Sequence, residues 1–452
     1  MDHSPFAMPV NRDDSRVLFY MHSTSISPPD IEFTISEMAI ESADGGWVKV
    51  MDKPASVSSI ELAGRQMLLK EARVPPGDYR GMRVVVSSAS MLRDGGRASL
   101  SLPTDGAKVY GLFEVSLAAG QSHVVSIAWN PYASVEKRVV FSPSIEFEPQ
   151  APSAMGLLLF VSNSAEDYIS IIDRSLERVI GATTVGAKPM GMALNSTRDI
   201  LYVVNSGSRT ISIVDAASFT ALDTLDITAG IEPVDIAFVP DFEGAIEGKL
   251  YVANRLSNDV AVISTTTKRV LKTIQTGRLP SHIASDAKRK EVYVTNELSN
   301  SLSIISAVDD SVAATVRVDS APAGVAVGDS KVYVFNRGSS TISVVSPASR
   351  QVTETVMVSK RPARGLKAFG GRLFVVNTED DTVTFFNASN VVTNTLDAGG
   401  GPVGLAVDER RNRLYVTNSS EDTVSVIDPI GERIIKELTV GKHPYGAVQL
   451  DR

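Results

Sequence analysis

The chain has 452 residues, 43% of them hydrophobic, with 44 Lys and Arg against 52 Asp and Glu for a formal net charge of −8, and it has no cysteine. That length holds two or three domains with sizeable cores, and the charge is even: 14 basic and 18 acidic side chains lie in residues 1–150 and 30 and 34 in the rest, so no basic stripe meets a phosphate backbone and no nucleic-acid partner is expected. The missing cysteine excludes disulfides, thiolate metal sites, iron–sulfur clusters, c-type haem attachment and a thiol nucleophile.

The start, MDHSPFAMPV, has neither the basic nor the apolar segment of a signal peptide, and residues 1–15 read as a disordered tail. No run approaches the roughly 18 apolar residues of a transmembrane helix. Residues 16–148 read as strands at 33–40, 47–50, 79–87, 113–117, 123–128 and 137–147, separated by DGG, PPGD and DGG turns. That spacing predicts an antiparallel β-sandwich. The segment FEPQAPSAMG, with two prolines and little charge, supplies a linker at 149–156. A composition rich in Ser, Thr and β-forming residues places the chain outside the cytoplasm: extracellular, at the cell surface or periplasmic.

From 157 to 452 one pentapeptide recurs seven times: LFVSN (159–163), LYVVN (201–205), LYVAN (250–254), VYVTN (292–296), VYVFN (332–336), LFVVN (373–377) and LYVTN (414–418). The Asn-to-Asn steps are 42, 49, 42, 40, 41 and 41 residues, the period of propeller blades, each a small sheet that cannot bury its apolar faces alone. After each Asn comes a second strand, as in ISIID (169–173) and VSVID (424–428), closing on a residue that bonds its own turn. A third strand follows, then a proline turn into a Gly- and Ala-rich strand, as in PMGMAL (189–194), PVGLAV (402–407) and PYGAVQL (444–450). Small residues suit the crowded innermost strand. The phase of the repeat makes 445–450 the missing innermost strand of the 157–187 blade, so that seven blades close without a free edge. The 49-residue step reflects a longer connection, PDFEGAIEG (240–248), placed on the lower face. The fold class is therefore all-β: a seven-bladed β-propeller preceded by an antiparallel β-sandwich domain.

The pentapeptides, the Asp-terminated second strands and endings such as TVGAKPMGMA (184–193) and TVGKHPYGAV (439–448) resemble the YVTN family of β-propeller repeats. That resemblance covers about two thirds of the chain. It implies an envelope, secreted or surface-layer setting in bacteria or archaea, and propeller relatives that include lactonases, streptogramin lyases, a methylamine dehydrogenase subunit and the haem d1 domain of nitrite reductase. The N-terminal part, with DGGWVKV (44–50), VPPGDYRGMRVVVSSAS (74–90) and a strand at 113–117, is similar to a domain-of-unknown-function family of sandwich domains in prokaryotic envelope lipoproteins. This second resemblance implies a lipid anchor upstream of residue 1. Neither implies a reaction.

The seven repeat Asn residues occur once per blade, and their expected work is to bond the turn that follows. Two residues after each repeat proline, where the innermost strands converge on the channel mouth, the chain reads Gly191, Asp235, His282, Gly324, Arg364, Gly404 and Gly446. An acid, an imidazole and a guanidinium there could bind an anionic or sugar-like ligand, or polarise a carbonyl beside a general base; the alternative is a solvated ion-pair network. Lys188, Glu232, Arg361 and His443 sit just before the prolines, and Arg209, Arg255 and Arg337 in the loops after the repeat Asn, all on the upper face. Trp47 and Trp129 either stack on sugars or, as is commoner, pack the sandwich core.

No cofactor or metal is expected. The five His, at 3, 22, 123, 282 and 443, show no HxH or HxxxH pair. Asp241, Glu243 and Glu247 match no calcium-loop spacing, and a haem d1-like site would have only His282 and His443 to use. No P-loop, GxGxxG or GxSxG signature occurs. The expected function is a non-catalytic envelope or cell-surface binding or scaffold protein that engages a protein, glycan or surface partner through propeller loops, with Asp235, His282, Arg364, His443 and Arg361 in the binding region. The alternatives are a lactonase- or lyase-type enzyme with His282 as base, Arg364 on the substrate oxygen and Asp235 orienting the imidazole, and a structural subunit of a surface layer or filament.

Overall fold

A computed structural model describes residues 13–51, 53–93, 96–103, 107–152, 156–241, 247–358, 360–368 and 370–451. Most of the tail expected at 1–15, part of the linker at 149–156 and most of the 240–248 connection lie outside them. The chain is all-β, with no α-helix among the described residues and two short 3-10 turns, Tyr132–Ser134 and Thr378–Asp380. None of those residues forms a helix long and apolar enough to cross a membrane. Two compact units are present: a first running to residue 151 and taking in 178–184, and a second of 152–177 with 185–452.

The first unit is a sandwich. One sheet has the order Ser144–Pro149, Ser122–Asn130, Ser15–Ser23, Gln66–Val74. The other runs Trp47–Lys49, Ile31–Ser42, Gly77–Arg93, Gly96–Ser99, with Ala55–Ser58 also on Ile31–Ser42 and Ala107–Leu117 also on Gly77–Arg93. Val17, Phe19 and Met21 from the first sheet meet Phe33, Ile35, Val84 and Val86 from the second in one core. Trp129 belongs to it: Phe33 lies edge-on with ring centroids 4.8 Å apart, and its Nε1 donates to Ser134 Oγ at 2.9 Å.

Several details differ from the sequence reading, which also did not anticipate the strands Ala55–Ser58, Gln66–Val74 and Gly96–Ser99. Ser15–Ser23 was not anticipated as a strand, because it is central and buried on both faces, so that its middle, VLFYM (17–21), is apolar throughout without alternation. It pairs parallel with Ser122–Asn130, a departure from the antiparallel scheme, and the roughly hundred residues between them form the crossover that a parallel pair needs. The single strand expected at 137–147 is broken, since Lys137 and Arg138 take left-handed φ of 47° and 61° and turn a short hairpin, Val135–Glu136 with Val140–Phe141.

The second unit holds the propeller, which among the described residues has seven four-stranded antiparallel sheets, the outermost strand of one of them, Arg178–Thr184, being counted with the first unit. Numbered from the sheet that holds Leu158–Asn163, the blades have as innermost strands Pro444–Leu450, Pro189–Asn195, Pro233–Pro240, Pro280–Asp286, Pro322–Val327, Arg364–Ala368 and Pro402–Asp408. Each innermost strand touches the next around the ring. Blades bury their faces against one another, as where Tyr251, Val260 and Val262 of blade 3 meet Ile283, Val292 and Val294 of blade 4. Pro444–Leu450 pairs antiparallel with Leu158–Asn163, Leu158 with Leu450 and, past a register shift between Val161 and Asn163, Asn163 with Pro444.

Arg174 bolts that joint. Its fully buried guanidinium pairs with Asp408 of blade 7 and with Asp451, and donates to the carbonyls of Leu450 at 3.0 Å and Leu158 at 3.2 Å. The repeat Asn residues are all fully buried. Their amides reach mainly to side-chain oxygens five and seven residues on, in the next strand, rather than to turn backbone: Asn336 Nδ2 donates to Thr341 Oγ1 at 3.1 Å and Ser343 Oγ at 2.9 Å, and Asn377 and Asn418 repeat the arrangement.

Candidate functional site

At the compared ring position the Cβ direction points at the neighbouring blade, not along the channel. A methyl on Gly191 would lie 2.0 Å from Asp235 Oδ1, one on Gly324 2.4 Å from the Ala363 carbonyl, and one on Gly404 2.4 Å from the Tyr445 carbonyl. Close packing of successive innermost strands thus explains the glycines, and the side chains that replace them must cross the seam between blades.

Asp235 and His282 do so. Asp235 is buried, and its Oδ2 accepts the backbone N–H of Ile283 on blade 4 at 3.1 Å. His282 Nε2 lies 3.5 Å from the same oxygen. On the far side of the ring, Val325 N–H of blade 5 donates to His282 Nδ1 at 3.4 Å. A nitrogen that accepts a hydrogen bond carries a lone pair, so the proton of the neutral ring sits on Nε2, facing the carboxylate. Burial pushes the imidazole pKa down to about 4, helped by the Arg364 charge and opposed by Asp235. Each ring nitrogen thus faces a partner on a neighbouring blade, and the ring is neutral near pH 7. The pair stitches three blades together.

Arg364, on blade 6, is engaged elsewhere. Its Nη2 donates to the hydroxyl of Tyr445 on blade 1, and its Cζ lies 4.3 Å from the centroid of that ring. Burial raises the Tyr445 pKa, with Arg364 acting against that rise and Asp235 adding to it. Tyr445 was missed because it lies one residue before the compared position. The signal was there: after the other repeat prolines the chain has Met190, Val234, Ser281, Ala323, Ala363 and Val403, and Tyr445 is the one aromatic. Asp235 and His282 thus form one pair and Arg364 and Tyr445 another, each satisfied within itself, with their charges felt across the gap between them.

The other anticipated residues lie further out. Arg361 is 60% exposed and pairs with Glu379, while its backbone N–H donates to Asp380 at 2.9 Å. His443 is exposed, with its N–H bonded to Asp422 Oδ1 at 2.8 Å. Arg255 meets Glu297 at 3.2 Å, Glu297 also holds Arg337, and Arg337 Nε is 3.8 Å from Glu379. Arg255, Glu297, Arg337, Glu379 and Arg361 so make one chain of alternating charge across blades 3 to 6. Lys188 adds a looser pair with Glu232 at 3.8 Å.

A cavity of about 960 Å³ opens at the opposite end of the propeller, where connections leave the innermost strands, lined by Lys288, Arg289, Lys331, Tyr333 and Glu409 among others. It contains none of the anticipated residues, and its charges are already matched in part, Arg289 by Asp286 and the Asp329 carbonyl. No cluster of three metal-binding side chains occurs among the described residues. Of the calcium candidates, Glu243 lies outside those residues, and Glu247 is held by Arg198 at 3.0 Å and Thr265 at 2.8 Å.

A family model described as a YNCE-like beta-propeller matches residues 137–452. The seven-bladed beta-propeller protein Rv1057 of Mycobacterium tuberculosis (strain ATCC 25618 / H37Rv) is 29% identical over 135 residues, 29% of this chain and 33% of that protein. The chain thus spans about a third of the length of that curated relative. Among solved structures, a functionally unknown protein from Desulfotomaculum acetoxidans DSM 771 superposes with a TM-score of 0.56 at 12% identity, over 65% of this chain and 99% of that one. Kuenenia stuttgartiensis hydrazine synthase gives 0.50 at 18% identity, over 57% and 88%. At such identities the likeness is one of fold.

Proposed function

We propose, from the premise that the chain belongs to the YNCE-like β-propeller family, that it is a non-catalytic binding or scaffold protein whose propeller presents its upper rim to a protein partner. The observation that carries this reading is the five-member charge chain from Arg255 to Arg361, in which the arginines keep between 37% and 60% of their side-chain surface exposed. Exposed arginines held in place by neighbouring carboxylates are preordered for the polar rim of an interface, where arginine is enriched. A lactonase- or lyase-type reaction is the poorer reading, because both nitrogens of His282 are engaged and Arg364 is tied to Tyr445. The YVTN-type pentapeptides support a site of action outside the cytoplasm, and the likeness of the sandwich to lipoprotein-associated domains supports anchoring to the envelope.

The test is site-specific photo-crosslinking in intact cells. A crosslinker at position 255 or 361 should capture a discrete partner band that one at position 288, at the opposite end, does not, and Arg337→Glu should abolish the band. Crosslinks from position 288 alone, or lactone hydrolysis lost in His282→Gln, would overturn the reading.

A further inference from the structure

The sandwich carries a feature the propeller reading does not use. On the solvent face of its second sheet, pairing brings Trp47, Glu41, Gly81 and Leu112 into one row across four strands, and Lys49, Ala39, Arg83 and Tyr110 into the next. Trp47 and Tyr110 stand three strand spacings apart, about 14 Å, yet their ring centroids are 6.1 Å apart at an interplanar angle of 72°. Each ring therefore leans inward over Ala39 and Gly81, which have no side chain bulky enough to stop it. Arg83 lies under the indole, its Cζ 4.6 Å from the ring centroid, and pairs with Glu37. Arg80 pairs with Glu41 at 2.8 Å.

Large apolar groups are usually withdrawn from solvent, yet here Trp47, Tyr110 and Leu112 are 38%, 60% and 86% exposed. The indole, with the Arg83 guanidinium against its ring and Tyr110 packed at a steep angle beside it, still offers apolar surface to solvent, and Tyr110 and Leu112 extend that surface. Around it stand donors and acceptors already matched as ion pairs, which give polarity without a strong net field. A groove of about 750 Å³, lined by Pro103, Ala107, Lys108, Val109, Tyr110, Ser142 and Pro143, continues from Tyr110.

We propose that this face binds a polysaccharide chain, with pyranose rings stacked on Trp47 and Tyr110 and hydroxyls bonded to Arg83, Glu37, Arg80 and Glu41. A pyranose has an apolar C–H face and an equatorial belt of hydroxyls, the complement of an aromatic platform ringed by neutralised charge. A protein anchor would call for an apolar recess and a charged partner for an unmatched charge. The groove beyond Tyr110 gives room for further sugars, so an oligosaccharide should bind more tightly than a monosaccharide.

The test uses the full chain with soluble polysaccharides, neutral glucans and galactans in one arm and polyuronates in the other, read by affinity electrophoresis and tryptophan emission. Trp47 and Trp129 are the chain's two tryptophans, and Trp129 is buried, so an emission change on binding reports Trp47. Binding should fall at least tenfold in Trp47→Ala and in Tyr110→Ala, with circular dichroism and melting temperature unchanged. It should persist in Tyr132→Ala, an exposed aromatic outside this face, and in Arg337→Glu, which tests the propeller rim instead. The arm that binds identifies neutral or acidic sugars. Failure of every polysaccharide at millimolar sugar, or binding that survives the Trp47/Tyr110 double substitution, would overturn the proposal.

Discussion

The propeller does each structural job seven times and the sandwich does each once, and this difference decides where meaning can be read. In the propeller a residue is understood by comparison with its six counterparts: Asn336 is ordinary because Asn377 and Asn418 make the same bonds, and Asp235 stands out because Gly191 and Gly404 occupy its place. In the sandwich no counterpart exists, and Trp47 differs from Trp129 only through what surrounds each ring. The residues that make the propeller one closed object are the ones that break its repetition.

The sharpest way to break that contrast is Arg174→Ala. Asp408 would be left buried without its partner, and removing one member of a buried ion pair costs about 3–5 kcal/mol. Hydrogen exchange should quicken in Leu158–Asn163 and Pro444–Leu450 before the inner strands of blades 3 to 5; uniform protection would sink the idea of a single bolt. Next in size is acid. His282 in the propeller and His123 in the sandwich are both pushed down to about 4 by burial. Between an unfolded value near 6.5 and that folded value, the unfolded chain takes up protons the folded one refuses, so stability falls as pH drops through this window, by at most roughly 3 kcal/mol per group. Tryptophan emission follows the sandwich alone. His123→Gln should flatten its pH dependence there, while His282→Gln should leave that signal as it was and flatten the propeller's, followed by hydrogen exchange.

A smaller effect tests the repetition itself. Asn336→Ala should cost about 1–3 kcal/mol by removing the buried donor to Thr341 and Ser343, and Asn205→Ala and Asn418→Ala should cost the same within about 0.5 kcal/mol if the blades are equivalent. Urea midpoints that scatter by several times that margin would show that they are not. Smallest of all is Arg361→Ala on the rim, expected to move the midpoint by less than about 0.5 kcal/mol, since the pair with Glu379 is exposed.

Much of the propeller was legible because its signals are written seven times. The pentapeptides mark the strands, the prolines mark entry to the channel, and the compared position placed Asp235 beside His282. Direction was not legible: the alignment suggested side chains facing the channel mouth, whereas backbone packing turns them across the seams. Arg174 was equally readable in principle, since the residue eleven positions after the repeat Asn is Ala216, Thr265, Ala307, Pro347, Ala388 and Pro429 in the other blades. A lone charge among small residues and prolines is a departure of the same kind as Asp235 among glycines. The sandwich yielded less. Ser15–Ser23 is hidden by burial on both faces, and the lean of Trp47 towards Tyr110 depends on Ala39 and Gly81, which only pairing sets between them.

The strand that completes blade 1 is also the last of the propeller to leave the ribosome. Until Pro444–Leu450 arrives, Leu158–Asn163 must wait with an open hydrogen-bonding edge, nearly three hundred residues after it was made, and such an edge invites pairing with a neighbouring chain. The vulnerable interval in the synthesis of this propeller is thus the stretch between those two strands, and a nascent chain stalled within it should be a strong client for chaperones.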